Sequence, residues 1–445
     1  MNFKLTKEFV SEIELFIHTN NKTAINTLCA DLLPPDIAEI IKTLPFESAK
    51  YVLNIFSFRA DILIELEEDL REQLLKNFTS EQIVQDVIDN LDSDDAANVI
   101  QELSELKKEE VLSNIIDPKQ ASDLADLLSY NEDSAGALMG KELIQVDENW
   151  SILRCVAEMR KQAKNVNNVY TIYVVNKNQQ LMGTVSLKKL LITEEKTFIR
   201  SIFNNNIISV ETNTSAEEVA RVMNKYDLIV LPVVNRKNEL VGRITIDDVV
   251  DLIKEEAEKD YQMASGIVEN IEPIDSIFTV TKARIPWLII GMFGGLLGAQ
   301  IIGLFHIEKN PILAFFIPLI TAMGGNVGVQ SSAIIVQAIA SKNLGIDSWT
   351  KRFIKEFKVA LINGIMCCGI LFILCVLLYP EPKLPITISI SLLTVMIFAA
   401  LFGTFTPLVL NKYKIDPALA TGPFITTMND VIGLFIYFSI ARMIL

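Results

Sequence analysis

The 445 residues predict a multidomain chain in four parts. These are an all-α helical-repeat region over 1–132, a duplicated α/β module over 133–256, a connecting helix over 257–284, and a five-helix transmembrane α-domain over 285–445. Three observations predict it. Charge is divided: residues 285–445 hold 10 Lys/Arg and 6 Asp/Glu, whereas residues 1–284 hold 30 and 49. Long apolar runs crowd into the last third, and a pattern in the middle of the chain repeats at a fixed offset.

The same composition excludes several classes. Phosphate backbones want a basic face, so the acidic first part argues against a nucleic-acid partner. The five cysteines, Cys29, Cys155, Cys367, Cys368 and Cys375, form no CxxC or finger spacing. Two histidines, His18 and His306, leave little for a His-rich metal centre or a Ser–His–Asp triad. No nucleophile–base pair can be assembled, so an enzyme is not expected. The first 30 residues carry Glu8, Glu12 and Glu14 and no clean apolar run, so no signal peptide is expected.

Residues 1–132 read as short amphipathic helices, with apolar residues at three- and four-residue spacing and Pro or Asp at the starts. Related starts recur at LPPDIAEII from Leu33, LPFESAKYV from Leu44, LDSDDAANVI from Leu91 and IDPKQASDL from Ile116. A helical stack and an ordinary bundle both satisfy this periodicity.

In the module over 133–256, YVVNKNQQLMGTVSLKKL from Tyr173 matches PVVNRKNELVGRITIDDV from Pro232 at an offset of 59 residues. Each unit reads as strand, polar turn, strand beginning near Gly183 or Gly242, then helix. Amphipathic helices at 151–161 and 215–225 precede them.

The segment Ile246–Asp260 concentrates Asp247, Asp248, Asp251, Glu255, Glu256, Glu258 and Asp260 against Lys254 and Lys259. A second helix is expected over Ile267–Arg284. A solvated acidic face is the plain alternative for the charge run. Like charges repel within a Debye length of about 8 Å, and divalent cations bridging them would reverse the repulsion.

Five runs in the last third are long enough to cross a bilayer: 285–305, 311–340, 359–379, 385–410 and 417–440. Lys342, Lys351, Arg352, Lys355 and Lys358 lie in one connecting stretch, and Lys412 and Lys414 in another; the opposite loops carry Lys309 and Lys383. The positive-inside rule then places the N-terminal regions in the cytoplasm and the C-terminus outside, in a plasma-membrane protein of five spans. Asp430 is the one acidic residue within the runs, and a carboxylate in hydrocarbon should face water or a cation. Arg442 lies three turns away, too far for a direct helical pair. Thr426, Thr427 and Asn429 bring further oxygens close in sequence. Gly324, Gly325, Asn326 and Gly328 form a small, polar cluster, which either packs helices closely or breaks one to present carbonyls.

The duplicated unit resembles a tandem pair of CBS modules, a regulatory disc. Many CBS units carry Gly-h-h-[Ser/Thr]-x-x-Asp, whose carboxylate holds the ribose of an adenine nucleotide. Gly242, Thr245 and Asp248 match it, which implies ATP as a possible ligand at Thr245 and Asp248. In the first unit Gly183 and Ser186 match, but Lys189 replaces the Asp.

Three segments extend the resemblance to nearly the whole chain: YNEDSAGALM (130–139), PLITAMGGNVGVQSSA (318–333) and DPALATGPFITTMNDVIG (416–433). With the domain order, they resemble the MgtE family of magnesium channels. Gly140, Gly422 and Asn98 depart from residues common in that family, and Ser215 stands where some relatives are acidic. The resemblance implies a homodimer in membrane lipid, with a pore on the two-fold axis that cytosolic Mg2+ closes. It implies regulatory Mg2+ at Asp94, Asp95, Asp227, Asp248, Asp251, Glu256 and Asp416, and a pore site at Asp430 with Asn326, Thr426 and Thr427. Two other readings remain at this point: a carrier of Co2+, Mn2+ or Ni2+, and a membrane-anchored CBS sensor of nucleotide or ions. Soft-metal ligands near Asp430 are lacking, which disfavours the former. An anchor needs no intramembrane carboxylate, which disfavours the latter.

Overall fold

The structure is a computed structural model. It describes residues 3–166, 168–268, 271, 276–305, 307, 310–340, 349–420 and 422–445. They form two compact units, Met1–Ile253 and Lys254–Leu445.

The first unit opens with helices α1 (Lys7–His18), α2 (Lys22–Leu28), α3 (Pro34–Thr43), α4 (Phe46–Leu53), α5 (Arg59–Ile64), α6 (Glu68–Leu75), α7 (Ser80–Asp86), α8 (Ser93–Gln101), α9 (Glu105–Asn114) and α10 (Pro118–Leu127). The four recurring start signals all begin helices. Pro34 and Pro118 occupy first turns, where a missing N–H costs nothing. The Asp36 carboxylate accepts from the Leu33 N–H, and Asp117 accepts from the Lys119 N–H. Thr79 and Gln82 close a reciprocal capping box at α7. The apolar faces share one core containing Ile37, Ile40, Ile41, Leu53, Ile62, Leu63, Leu74 and Leu75. Burying each such side chain stabilises the unit by about 1.5–3 kcal/mol.

A short helix, α11 (Ala135–Leu138), leads into two three-stranded sheets. The first is β1 (Ile144–Asp147), β2 (Ile172–Val175) and β3 (Leu181–Val185); the second is β4 (Val210–Glu211), β5 (Val230–Val234) and β6 (Leu240–Thr245). In each, the first pair is parallel and the second antiparallel. The duplication extends to detail. The register slips at Val174/Val175 and again at Val233/Val234. The Asn176 side-chain oxygen accepts from the Asn178 and Gln180 N–H groups, and Asn235 does the same for Lys237 and Glu239. Helices α12 (Ile152–Gln162), α13 (Leu187–Ile192), α14 (Ala216–Lys225) and α15 (Ile246–Ala264) complete the pair. The segment 130–139 is the joint between helical region and second sheet. The Tyr130 ring lies where Gly136 lacks a side chain, and Met139 lies where Gly242 lacks one.

The second unit holds α16 (Ile277–Leu304), α17 (Ile317–Ala340), α18 (Trp349–Leu378), α19 (Lys383–Lys412) and α20 (Pro423–Ile444). All five are long and apolar enough to cross a membrane, α17 together with a 3-10 turn at Pro311–Phe316. The α19 helix is the most buried; α16 and α18 expose most of their apolar surface.

Three expectations change in detail. The helix expected at 267–284 does not stand alone: α15 ends at Ala264, Gly266 follows with φ +84°, and Ser276 caps a new helix that continues as the first span. Residues 269–270 and 272–275 lie outside the described residues. The expected limit between 256 and 257 falls inside α15, whereas the packing division falls between Ile253 and Lys254. The basic stretch before the third span is partly helix: Lys351, Arg352, Lys355 and Lys358 occupy the first turns of α18. Such long side chains favour helix and reach outward to water. Lys309, Lys342 and His306 lie outside the described residues.

Candidate ion pathway and acidic sensor site

The α17 helix runs unbroken through Gly324–Gly328, so these residues serve close packing rather than a helix break. A Cβ on Gly328 would lie 1.9 Å from the Asn429 amide nitrogen, and one on Gly403 would lie 2.3 Å from the Gly328 carbonyl oxygen. Backbones of α17 and α19 therefore touch, with the Asn429 side chain of α20 on the other side of Gly328. One turn away, a Cβ on Gly325 would meet Thr426 at 3.2 Å and the Asp430 Oδ1 at 3.9 Å. Asp430 is half-buried. Thr426 shares its face at a four-residue spacing, and its hydroxyl donates to the Gly422 carbonyl at 3.0 Å. Thr427 turns toward α16, where its methyl lies against Gly294. Asn326 is exposed in this chain. Of the expected pore group, the fold thus brings Asp430 and Thr426 together beside Gly325, and directs Thr427 elsewhere.

In the first unit, the acidic first turns of α8 and α15 approach each other. Burial raises the Asp94 carboxyl well above its usual range, and Asp248, Asp95 and Glu142 add to the rise. Burial, with Asp248 and Asp92 next, pushes Asp95 up to about 7. Asp248 is raised by burial and by Asp247 and Asp251, against hydrogen bonds from Thr245. The Arg71 charge works against the rise at Asp95, but Arg71 donates to both Glu102 oxygens and to the Ile64 and Leu66 carbonyls. Gly140 makes the room: a Cβ there would lie 2.9 Å from Asp94 Oδ2 and 3.2 Å from Glu142 Oε2. Glu142 in turn accepts from the Ser93 N–H and hydroxyl. Among the described residues no three such side chains converge closely enough to hold one bare metal ion. The donor set is all carboxylate, which suits a hard divalent cation that keeps part of its water.

Asp251 is exposed and near Glu65, whose carboxyl is raised by burial first and by Asp251 second. Asp227 is exposed, with φ 50° after α14. Glu256 is exposed and ion-paired with Lys259 at 3.9 Å. Asp416 is exposed, and its carboxylate accepts from the Ala418 N–H at 2.8 Å. For the expected nucleotide pair, the Asp248 Oδ2 accepts from the Thr245 hydroxyl at 2.5 Å and from its N–H at 3.3 Å, so the two are engaged with each other. Nearby, Tyr170, Tyr173, Arg243 and Asn168 line a narrow crevice with no room for a water molecule.

Sequence reasoning missed Glu142, Asn429's burial and Glu356. The Glu356 carboxylate in α18 accepts from the buried Ser331 hydroxyl of α17 at 2.6 Å. Glu356 sits amid four basic residues, which hid it as a loop charge. Gly140 was the available signal for Glu142, since a glycine after Leu-Met frees space beside it.

Comparison with known proteins follows the same division. Residues 32–133 match the MgtE intracellular N domain, 135–194 and 199–255 the CBS domain, and 317–440 the MgtE divalent cation transporter domain. The chain is 34% identical over 340 residues to the magnesium transporter MgtE of Thermus thermophilus, covering 75% of each chain. It is 28% identical over 438 residues to the magnesium transporter MgtE of Bacillus subtilis, covering 98% of this chain and 97% of that one. The crystal structure of the cytosolic domain of the Mg2+ channel MgtE in complex with ATP superposes with a TM-score of 0.51 at 28% identity, covering 55% of this chain and 99% of that one. Five membrane-length helices, the helical region, the CBS pair and these matches together make the chain an integral membrane protein that belongs to the MgtE family of magnesium transporters.

Proposed function

We propose that this chain forms a homodimeric, passive Mg2+ channel for magnesium uptake, closed by cytosolic Mg2+ at the acidic turns of α8 and α15. The observation that carries the pathway is Asp430, a carboxylate inside a membrane helix, set against the glycine face of α17. One carboxylate per protomer is too few to strip Mg2+ of water. Two facing each other across a dimer axis attract the hydrated ion while water stays its inner shell, and such weak binding suits conduction. An inside-negative potential drives a divalent ion inward by about 4.6 kcal/mol at 100 mV, so no nucleotide hydrolysis is needed.

The gate follows from the charge. With little Mg2+, the carboxylates of Asp94, Asp95, Asp247, Asp248 and Glu142 repel and the two helix starts separate. Mg2+ bridging them through water draws the turns together, and α15 carries that change into the second unit. Asp227, Asp251, Glu256 and Asp416 contribute further bridging ions in the closed dimer. The basic turns of α18 and the end of α19 favour cytoplasmic placement of both, with the N-terminal regions inside and the C-terminus outside. ATP at the CBS pair is a further ligand in this reading, supported by the ATP-bound cytosolic domain of the relative. It would have to part Asp248 from Thr245.

The test is Mg2+ influx into proteoliposomes loaded with a Mg2+-sensitive dye. Wild type should conduct, and luminal Mg2+ on the cytoplasmic face should stop it. Asp430→Ala should abolish flux with the protein folded. Asp95→Asn with Asp248→Asn should leave flux and weaken the inhibition. Flux of Mn2+ or Co2+ but not Mg2+ through wild type would replace the magnesium reading.

A further inference from the structure

Asn429 is 1% exposed within this chain, in the second turn of a membrane-length helix. Its amide nitrogen donates to the Gly324 carbonyl of α17 at 3.3 Å. Its Oδ1 is buried and has no hydrogen-bond partner among the described residues. A lost partner for a buried acceptor is costly, and an apolar side chain of similar shape would avoid the cost. An amide at this place therefore needs a reason. The neighbouring contacts supply one. Asn429 addresses Gly324 and Gly328, and Asp430, the next residue, addresses Gly325. Consecutive side chains on α20 thus grip consecutive glycines on α17.

We propose that Asn429 is a positioning residue for the ion site at Asp430, an inference that rests on reading Asp430 as that site. Its amide N–H pins the Gly324 carbonyl and sets the offset of α20 against α17, and so where the Asp430 carboxylate points. Enclosure inside one protomer keeps its Oδ1 from lipid and from the second subunit.

The experiment uses the full chain in liposomes and compares wild type with Asn429→Leu, Asn429→Ala and Asp430→Asn. It reads Mg2+ flux against external Mg2+, block by hexaamminecobalt(III), which mimics hydrated Mg2+ but cannot shed its ligands, and thermal stability. Asn429→Leu should hold or raise the melting temperature, while block weakens at least fivefold and half-saturating Mg2+ rises. Asn429→Ala leaves space for water at the Gly324 carbonyl and should fall between. Unchanged block and half-saturation in a folded Asn429 variant would overturn the proposal. So would flux lost only in step with stability, which makes Asn429 a packing residue. Asp430→Asn separates the two readings: if block survives that change, the ion site lies elsewhere, whatever Asn429 does.

Discussion

A methyl group on Gly403 would press on the Gly328 carbonyl oxygen from 2.3 Å, and backbone cannot move aside as a side chain can. Gly403→Ala is expected to push α17 from α19, costing about 1–3 kcal/mol or more, as overpacked cores do. Gly369 in α18 has nothing within 4 Å of the same position. Gly369→Ala should instead be neutral or stabilising by up to about 1 kcal/mol, the helix-propensity difference. Thermal unfolding of both variants in lipid, followed by tryptophan fluorescence, checks the pair. Equal melting temperatures would mean that the α17–α19 backbone contact is not held as described. The same residue-scale logic explains why Asp430 was legible and Asn429 was not. A charge inside an apolar run is conspicuous in any order of residues. An amide's burial depends on which helices meet it, and that is written in Gly324 and Gly328, about a hundred residues earlier.

Two acidic helix starts facing each other make the α8–α15 contact sensitive to protons. A carboxyl raised to about 7 in the folded state, as Asp95 is, keeps a proton there that the unfolded chain releases near pH 4. Its contribution is therefore favourable on the acid side and is lost as pH rises through the folded value; Asp94 and Asp248 shift in the same direction. In Mg2+-free buffer, amide exchange in Ser93–Gln101 of the full chain, corrected for intrinsic rates, should quicken from about pH 6 to about pH 8. Millimolar Mg2+ should slow it again at the higher pH. Exchange indifferent to both would deny that the turns repel. The elements themselves were largely legible. The period of 59 residues carried the strand, polar turn, strand and helix of each unit because each is fixed by local residue types. Helix ends were less so: the first span starts at Ile277 rather than near Ile285 because Lys282 and Arg284 are as good in a helix as beside one. Hydropathy locates the apolar stretch, not the turn where the chain enters it.

For the molecule as a whole, charge and hydropathy tell one story. The first 284 residues carry most of the acid, and the remaining 161 carry the apolar helices and a slight basic excess. Lys351, Arg352, Lys355 and Lys358 start α18, Lys412 ends α19, and Lys414 follows it, whereas Lys383 starts α19 at the opposite end. Each Lys or Arg near an anionic leaflet is worth about 1 kcal/mol, so the asymmetry sets one orientation. In the proposed orientation the basic turns share the cytoplasm with the acidic first unit. With five crossings, the proposed orientation puts the end of α20 on the other face. A C-terminal alkaline phosphatase fusion should therefore be active in bacterial cells, and a C-terminal green fluorescent protein fusion dark. The reverse result would require an even number of crossings, and α16 would be the helix to doubt. It is the least buried of the five membrane-length helices, carries Lys282 and Arg284 near its start and holds Pro286 inside. Replacing Lys282 and Arg284 with Leu should then leave the fusion signals unchanged if α16 spans already, because the basic turns of α18 fix the topology without them.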